Sequence, residues 1–501
     1  MRTPLLLALV GAIIFGSLTF AEESEPFTFH TRKRAKLEDG SIAPVATTVK
    51  WDPKKTAVVV CDMWDKHWCD NSTRRVGEMA PRMNEAIKAA RARGALIIHC
   101  PSDTMDFYKD TPQRKRAMDA PVVETKVPLE RWCRIMPDYE GALPVDDSDG
   151  GCDPEQKNYK AWSRQIAAIE IFDEDAITDS AEAFYLMKQR GIENVLVMGV
   201  HTNMCVLGRP FSIRQMVRQG QNVLLVRDLT DSMYNPEKAP QTTHVRGTEL
   251  IVEHIERHWC PTVQSTDLTG LAPNRFTDDQ RKHAVIICND SLYHQDQLLT
   301  SFADTLLRDH NMAVTFVFGE PKRGYEGMEA LRTADVAILF ARRQPLSESQ
   351  QKEIESYLAS GKPLVAMRTA SHAFSVKSEV PAGLKNWDEF DKTVLGGSYR
   401  GHGSGGSEIV APKETTDPLL ARVSGFPWKS KSDLYNVKPL AEDAIVLIAG
   451  RDASGAEEPV AWTRKVGKSK VFYTSLGHED DFKNPDFRKL LSNAIEWATQ
   501  P

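Results

Sequence analysis

The stretch NVLVMGVHTNMCV, residues 194–206, decides how the chain is read. Asn194-Val-Leu-Val-Met198 is a short run of aliphatic and β-branched residues, the pattern of a strand buried on both faces. It stops at Gly199 and passes a polar turn to Cys205, after which residues 206–219 read as a helix. A thiol at such a strand–turn–helix junction faces unpaired backbone N–H groups and the positive end of a helix, which favours the thiolate. Cys205 is therefore the candidate nucleophile, and attack on a carbonyl or imine carbon the expected chemistry.

The same rhythm extends outward. Apolar runs at 57–61, 95–99 and 222–226 read as strands, with helical patterns at 81–93 and 179–191 between them. Strands separated by helices predict a doubly wound parallel sheet. After the polar stretch 262–279 a second alternation begins, with strands at 284–288, 314–318, 336–340 and 364–367, later strands at 444–448, 460–463 and 470–474, and a closing helix at 486–498. The fold class expected is α/β: two three-layer α/β/α domains, each with a mainly parallel doubly wound sheet. The expected divisions are a signal peptide at 1–21, an N-terminal extension at 22–50, a first domain at 51–262, a linker at 263–281 and a second domain at 282–501. Residues 126–163 interrupt the first alternation. They are rich in Asp, Pro, Gly and Trp, as lids and binding loops are.

The chain opens with Arg2, an apolar run from Leu5 to Phe15 and small residues before Glu22, which reads as a secretory signal cut after Ala21. A secreted or periplasmic protein is expected. The 63 basic and 69 acidic side chains give a net charge of −6 and are well mixed, so nucleic acid is not an expected partner. Eight cysteines in 501 residues are too few for a disulfide scaffold. Cys69, Cys133, Cys152 and Cys260 lie in polar surroundings and are candidates for pairing, whereas Cys61, Cys100 and Cys288 end apolar runs and read as core thiols. No C-x-x-C occurs, and no metal or cofactor is expected. The expected partners are small molecules, with a homo-oligomer left open.

Asp62 directly follows the strand at 57–61, where open α/β sheets gather their chemistry, and a carboxylate there can take the Cys205 proton and return it to a leaving amine. With Val58-Val-Val-Cys-Asp62, the Gly199–Val206 motif and Arg227-Asp228, residues 55–260 resemble the isochorismatase-like cysteine hydrolases, which include nicotinamidases. The resemblance implies hydrolysis of a small amide or related C–N bond, or a vinyl ether. It also implies a cis peptide before His201 and an oxyanion hole made by the His201 and Cys205 amides. The family's third catalytic member is a lysine on a strand that should be 166–171 here, and Glu170 stands in its place. A carboxylate there would raise the pKa values of Asp62 and the thiol where a cation would lower them. Lys126 and Arg164 are the candidate substitutes. The nicotinamidase metal signature is absent, since His99 and Asp103 do not form it. Trp64, Trp132 and Trp162 either line a pocket or cap the core.

The second half places His294 after its first strand, Arg368 and His372 after the strand at 364–367, and His402 and His478 on glycine turns. Convergence of these groups at one sheet edge would make acid–base or ligand-binding chemistry there. Gly396-Gly397, Gly401-His402, Pro459-Val-Ala-Trp462 and Gly477-His478 make residues 283–498 similar to the ThuA-like family, built on the class I glutamine amidotransferase fold. The position of the amidotransferase nucleophile holds Arg368, so glutamine hydrolysis is not expected, and the family implies a carbohydrate-like ligand. Two further readings stay open: a decayed first site kept for binding or assembly, and activity centred on the second domain.

Overall fold

The computed structural model describes residues 25–37, 40–289, 292–410 and 417–500. The signal peptide expected at 1–21 lies outside them.

The first sheet has eight strands: β1 (Phe27–Lys36), β2 (Ile42–Trp51), β3 (Thr56–Cys61), β4 (Leu96–Cys100), β5 (Ala176–Ile177), β6 (Asn194–Val200), β7 (Asn222–Asp231) and β8 (Thr262–Val263). Their order is β2-β1-β8-β7-β6-β3-β4-β5, with β8 to β5 parallel. Every residue of β3 and β6 is buried, because helices cover both faces, which is why these strands are continuous apolar runs.

The residues expected to be a plain extension form the hairpin β1–β2. It joins the sheet antiparallel through Arg32 opposite Thr262. The hairpin also reaches the second domain. Arg34 pairs with Asp304 at 2.6 Å, and Gln297 accepts the Ala46 N–H at 2.7 Å. Residues 263–281 connect the two sheets while burying Leu268 and Phe276.

The second sheet has ten strands: β9 (His283–Cys288), β10 (Ala313–Glu320), β11 (Gly324–Tyr325), β12 (Val336–Phe340), β13 (Leu364–Met367), β14 (Ser407–Val410), β15 (Trp428–Ser430), β16 (Ile445–Arg451), β17 (Glu457–Val466) and β18 (Ser469–Thr474). Five strands, β10-β9-β12-β13-β18, are parallel, and β17, β16, β14 and β15 extend them antiparallel. The sheet is thus mixed where a mainly parallel one was expected. Strand β17 returns from β16 and runs into β18 through tight connections, which only antiparallel neighbours allow. Apolar clusters cover both of its faces. The molecule is two α/β domains. Among the described residues no helix is long and apolar enough to cross a membrane.

Candidate active site

Strands β3 and β6 are neighbours in register, Cys61 opposite Gly199, so the residues that succeed them emerge side by side at the carboxyl edge. Asp62 comes directly after β3 with φ +47° and is fully buried. Gly199 has φ +113°, and a Cβ there would stand 2.0 Å from the Cys61 carbonyl oxygen, so this approach requires glycine. The peptide between Val200 and His201 is cis. The turn then delivers Cys205, 8 % exposed, as the first residue of a helix that spans Cys205–Gly208.

The long helix expected from Val206 is two short ones, Cys205–Gly208 and Ile213–Arg218. Pro210 disfavours helical backbone at Arg209, which takes φ −67° and ψ 158°. That break leaves the Arg209 side chain at the nucleophile. Its Nε lies 3.7 Å from Asp62 Oδ2, and its Nη2 lies 3.5 Å from Asp103. Apolar patterning does not single out Arg209, and the Arg209-Pro210 pair is the one signal in the sequence that could have found it.

Asp62 Oδ1 accepts the Ser102 N–H at 2.7 Å. Its Oδ2 and the Arg209 Nε are buried without a hydrogen-bond partner among the described residues, as is the Ser102 hydroxyl. Burial raises the Asp62 carboxyl, with Arg209 and the Cys205 thiol opposing. Burial also pushes the Cys205 thiol well above its ordinary value, the Asp62 charge adding to the rise and Arg209 opposing it. The thiolate favoured on sequence grounds is therefore not the resting form. A four-residue helix has little dipole to offer, and the sulfur is nearly dry. Arg209 itself is held protonated, its pKa raised by Asp62 and the thiols against the cost of its own burial.

Glu170, expected at the lysine position, is outside this constellation. It is half exposed and bonds to Lys88 and Asn84 on the helix Asp70–Ala92. Residues 166–171 form no strand, and the strand that pairs with β4 is Ala176–Ile177. Lys126 and Arg164 are elsewhere too: the Lys126 ammonium packs against Gly220, and Arg164 lies over Phe107. Arg227 and Asp228 fall inside β7, where Asp228 holds Ser265 and Asn274 of the connecting segment. His99 is a buried structural residue bonded to Gln165 and Asp175.

Aromatic rings wall the site. Trp64 stacks on Trp162 at 4.4 Å and His67 stacks on both, while Trp132 lies 5.5 Å from the Arg209 guanidinium. The His67 ring packs edge-on against His201, whose Nε2 meets the Ser72 hydroxyl at 2.6 Å. Burial lowers His67 to about 4 and drives His201 well below its ordinary value, so both rings are neutral at pH 7. Neither the His201 nor the Cys205 N–H has an acceptor among the described residues. Cys69 and Cys152 form a disulfide that ties the inserted segment beside His67, whereas Cys133 and Cys260 are buried free thiols.

At the second sheet edge Arg368 comes directly after β13 with φ +48° and is 2 % exposed. Its guanidinium lies 4.2 Å over the Tyr435 ring and 5.5 Å from that of Tyr293. His372 stacks on Tyr399 at 4.7 Å, His402 approaches Tyr435 at 6.0 Å and His478 approaches Tyr293 at 6.1 Å. Three of the four candidate histidines thus gather round Arg368. His294, at φ +48°, is exposed at the start of the helix Gln295–Asp309. Tyr293, the neighbour of His294 in the sequence, joins this group together with Tyr399 and Tyr435, which sequence reasoning missed.

These are two α/β domains, each with a polar cluster at the carboxyl edge of its sheet. Residues 284–498 match the family model for ThuA, described as trehalose utilisation. No curated protein matches the chain. Among solved structures, a ThuA-like protein from Bacteroides uniformis is similar at 17 % identity over 45 % of this chain and 94 % of its own, with a TM-score of 0.35. A cysteine hydrolase from Pseudomonas syringae pv. phaseolicola is similar at 16 % identity over 43 % and 92 % (TM-score 0.28). An isochorismatase family protein from Burkholderia thailandensis is similar at 14 % over 43 % and 94 % (TM-score 0.25).

Proposed function

We propose that the first domain is an isochorismatase-like cysteine hydrolase acting on a small, flat amide or related C–N substrate, or a vinyl ether. The observation that carries this reading is the buried Asp62 carboxyl, which interacts with the Cys205 thiol and has its Oδ2 3.7 Å from the Arg209 guanidinium.

The resting thiol keeps its proton. As the sulfur attacks the substrate carbon, that proton passes to Asp62 Oδ2, and Arg209 offsets the charge that moves through the site. The free His201 and Cys205 amides hold the developing oxyanion, a pair of donors worth on the order of 3 kcal/mol each. Collapse of the tetrahedral adduct breaks the C–N bond, and Asp62 gives its proton to the departing nitrogen. Water, deprotonated by Asp62, then hydrolyses the thioester and restores the thiol. The rings of Trp64, Trp162 and His67 suit a planar substrate. Arg209 serves here in place of the lysine that the resemblance calls for.

The Cys69–Cys152 disulfide supports export to an oxidising compartment, which is where the residues at 1–21 would send the chain. For the second domain we propose a carbohydrate-like ligand, which the trehalose-utilisation family model favours.

The test is hydrolysis across a panel of amides and ureides, with Cys205→Ala as the control. Turnover that is lost in the variant, together with a covalent adduct on Cys205 trapped by acid quench, is the expected result. Turnover that survives the substitution would end the proposal. If no substrate acylates Cys205, the site is a binding or assembly remnant, a reading its buried, protonated thiol also accommodates.

A further inference from the structure

Arg368 is a buried cation with no carboxylate in ion-pairing distance among the described residues. Its Nη1 donates to the carbonyls of Asp433 and Ser475 at 2.9 and 2.7 Å, and its Nη2 to the Tyr293 hydroxyl at 3.3 Å. Its Nε has no partner among the described residues. Carbonyl and phenol dipoles satisfy most of its donors but leave its charge uncompensated. Burying an unpaired charge costs several kcal/mol, so such a group marks a place where a counter-charge arrives.

Two more arginines share the edge. Arg342 and Arg343 lie just beyond β12, the neighbour of β13, and neither forms an ion pair among the described residues. The Arg343 N–H donates to the His372 carbonyl at 3.0 Å, and its Nη1 to the Ser375 carbonyl at 3.4 Å. Both act on His372 and Tyr399, as Arg368 does, and with burial they hold His372 down at about 3. A cavity of about 540 Å³ opens beside Arg343 and His372, with Tyr399, Arg400 and the carboxylates Asp388, Glu389 and Asp391 also in its wall.

The nearby carboxylates, Asp388 and Glu389 of the cavity wall included, form no ion pair with these arginines among the described residues. Asp433 accepts the Gly406 N–H and faces His402 at 3.5 Å. Asp480 is taken by Lys431 and Lys483. Asp391 accepts the Tyr399 N–H at 2.7 Å, and burial lifts it to about 6.

We infer that this edge of the second domain binds the carboxylate or phosphate group of an anionic small molecule, with Arg368, Arg342 and Arg343 supplying the counter-charge and Tyr399, Tyr435 and His372 flanking the bound molecule. Gly477 fits the scheme: with φ +137°, a Cβ there would stand 3.1 Å from the Arg368 Cβ, so glycine lets the turn carrying His478 pass close to Arg368. The choice of sugar probes rests on the carbohydrate-like ligand proposed for this domain, and the experiment separates that reading from the anion site.

Calorimetric titration of the full-length protein at low salt, with D-glucuronate, glucose 6-phosphate, inorganic phosphate and D-glucose, tests the inference. At least one charged probe is expected to bind ten-fold or more tightly than glucose, and 0.5 M NaCl to weaken it several-fold. The two sugar anions distinguish a carboxylate from a phosphate ligand. Binding of inorganic phosphate without either sugar anion would keep the anion site and discard the sugar reading. Glucose binding as tightly as the anions would do the reverse, and binding of none would overturn the inference. Arg343→Gln, at a half-buried position, is expected to weaken the charged probe at least five-fold, and Arg368→Met to abolish its binding if the variant folds. Wild-type affinity in Arg343→Gln together with Arg342→Gln would also overturn it.

Discussion

At the edge of the first sheet a buried carboxyl and a buried guanidinium face each other 3.7 Å apart with a thiol beside them. At the edge of the second, a buried guanidinium donates to two carbonyls and a phenol and has no carboxylate in ion-pairing distance among the described residues. Both clusters stand at the carboxyl ends of parallel strands, yet they suit different tasks. A carboxylate held beside a guanidinium can take the proton of the thiol and return it without a change in the net charge of the site, which is what acyl transfer asks of it. An uncompensated cation cannot do that, but it offers a strong, fixed attraction to an anion. Placement in an α/β fold sets where chemistry gathers, and the charge balance there decides which chemistry it is.

The largest expected effect falls on how the first edge is held. The disulfide closes a loop spanning 83 residues, which by chain entropy stabilises the fold by about 4 kcal/mol. Cys69→Ser with Cys152→Ser should lower the denaturation midpoint of the first domain accordingly. Anion binding at the second edge, measured on protein that is still folded, should stay intact. Loss of that binding in the reduced protein would mean that the two edges are not separable.

Next in size is the charge balance itself. Arg209→Met leaves Asp62 and the thiol without their cation, and both pKa values should rise further. A fall in kcat/KM on the order of 10²–10³ is expected from a charge of this kind in a dry site, with Arg209→Lys recovering part of it. Equal activity in Met and Lys variants would remove Arg209 from the mechanism.

Why was Arg209 hidden while Asp62 and Cys205 were legible? The central strands β3 and β6 are apolar runs, and the fold alone places the residue at the end of such a strand. Arg209 reaches the site because Pro210 breaks a helix, a local event that apolar periodicity does not register. Glu170 was misplaced by the opposite error. Ile166, Ile169 and Ile171 look like a strand, but Gln165 makes a single bridge to Trp64 and the chain then turns. The hairpin β1–β2 was unread because its inward residues, Phe27, Phe29 and Thr31, alternate with basic residues and histidine, which pair with acids of the first domain, the connecting segment and the second domain. Arg368 was visible by its position after β13, but its missing counter-ion is a property of three dimensions.

The boundary between the two edges offers a smaller perturbation. His30, on β1, lies 2.9 Å from Asp267 and 3.2 Å from Glu320 of β10, and stacks on Phe318 at 4.2 Å. Although burial opposes it, the two carboxylates raise the imidazole from 6.5 to about 10. A raised folded-state pKa gives stability that is fully present below about 6.5 and is lost as pH climbs through 10. His30→Gln keeps the length and one hydrogen bond, so a loss of about 2 kcal/mol is expected at pH 6, narrowing toward pH 10. A penalty that did not vary with pH would assign His30 a packing role.

The smallest effect probes the second edge by restoring some of the negative charge it lacks. Asp391 is neutral below about 6 and anionic above, because burial outweighs the Tyr399 N–H that it accepts. Its charge therefore returns to the cavity as pH rises, and an anionic ligand should bind less well there. Glucuronate is ionised throughout pH 5 to 7.5, so its own titration does not intrude. One charge several ångströms away through water is worth about 0.7 kcal/mol, which corresponds to roughly a three-fold rise in Kd across that range. Asp391→Asn should flatten the profile. An affinity that rises with pH would mean the ligand responds to some other group, and the arginine edge would then have to be read as compensated from within, like the edge built on Asp62 and Arg209.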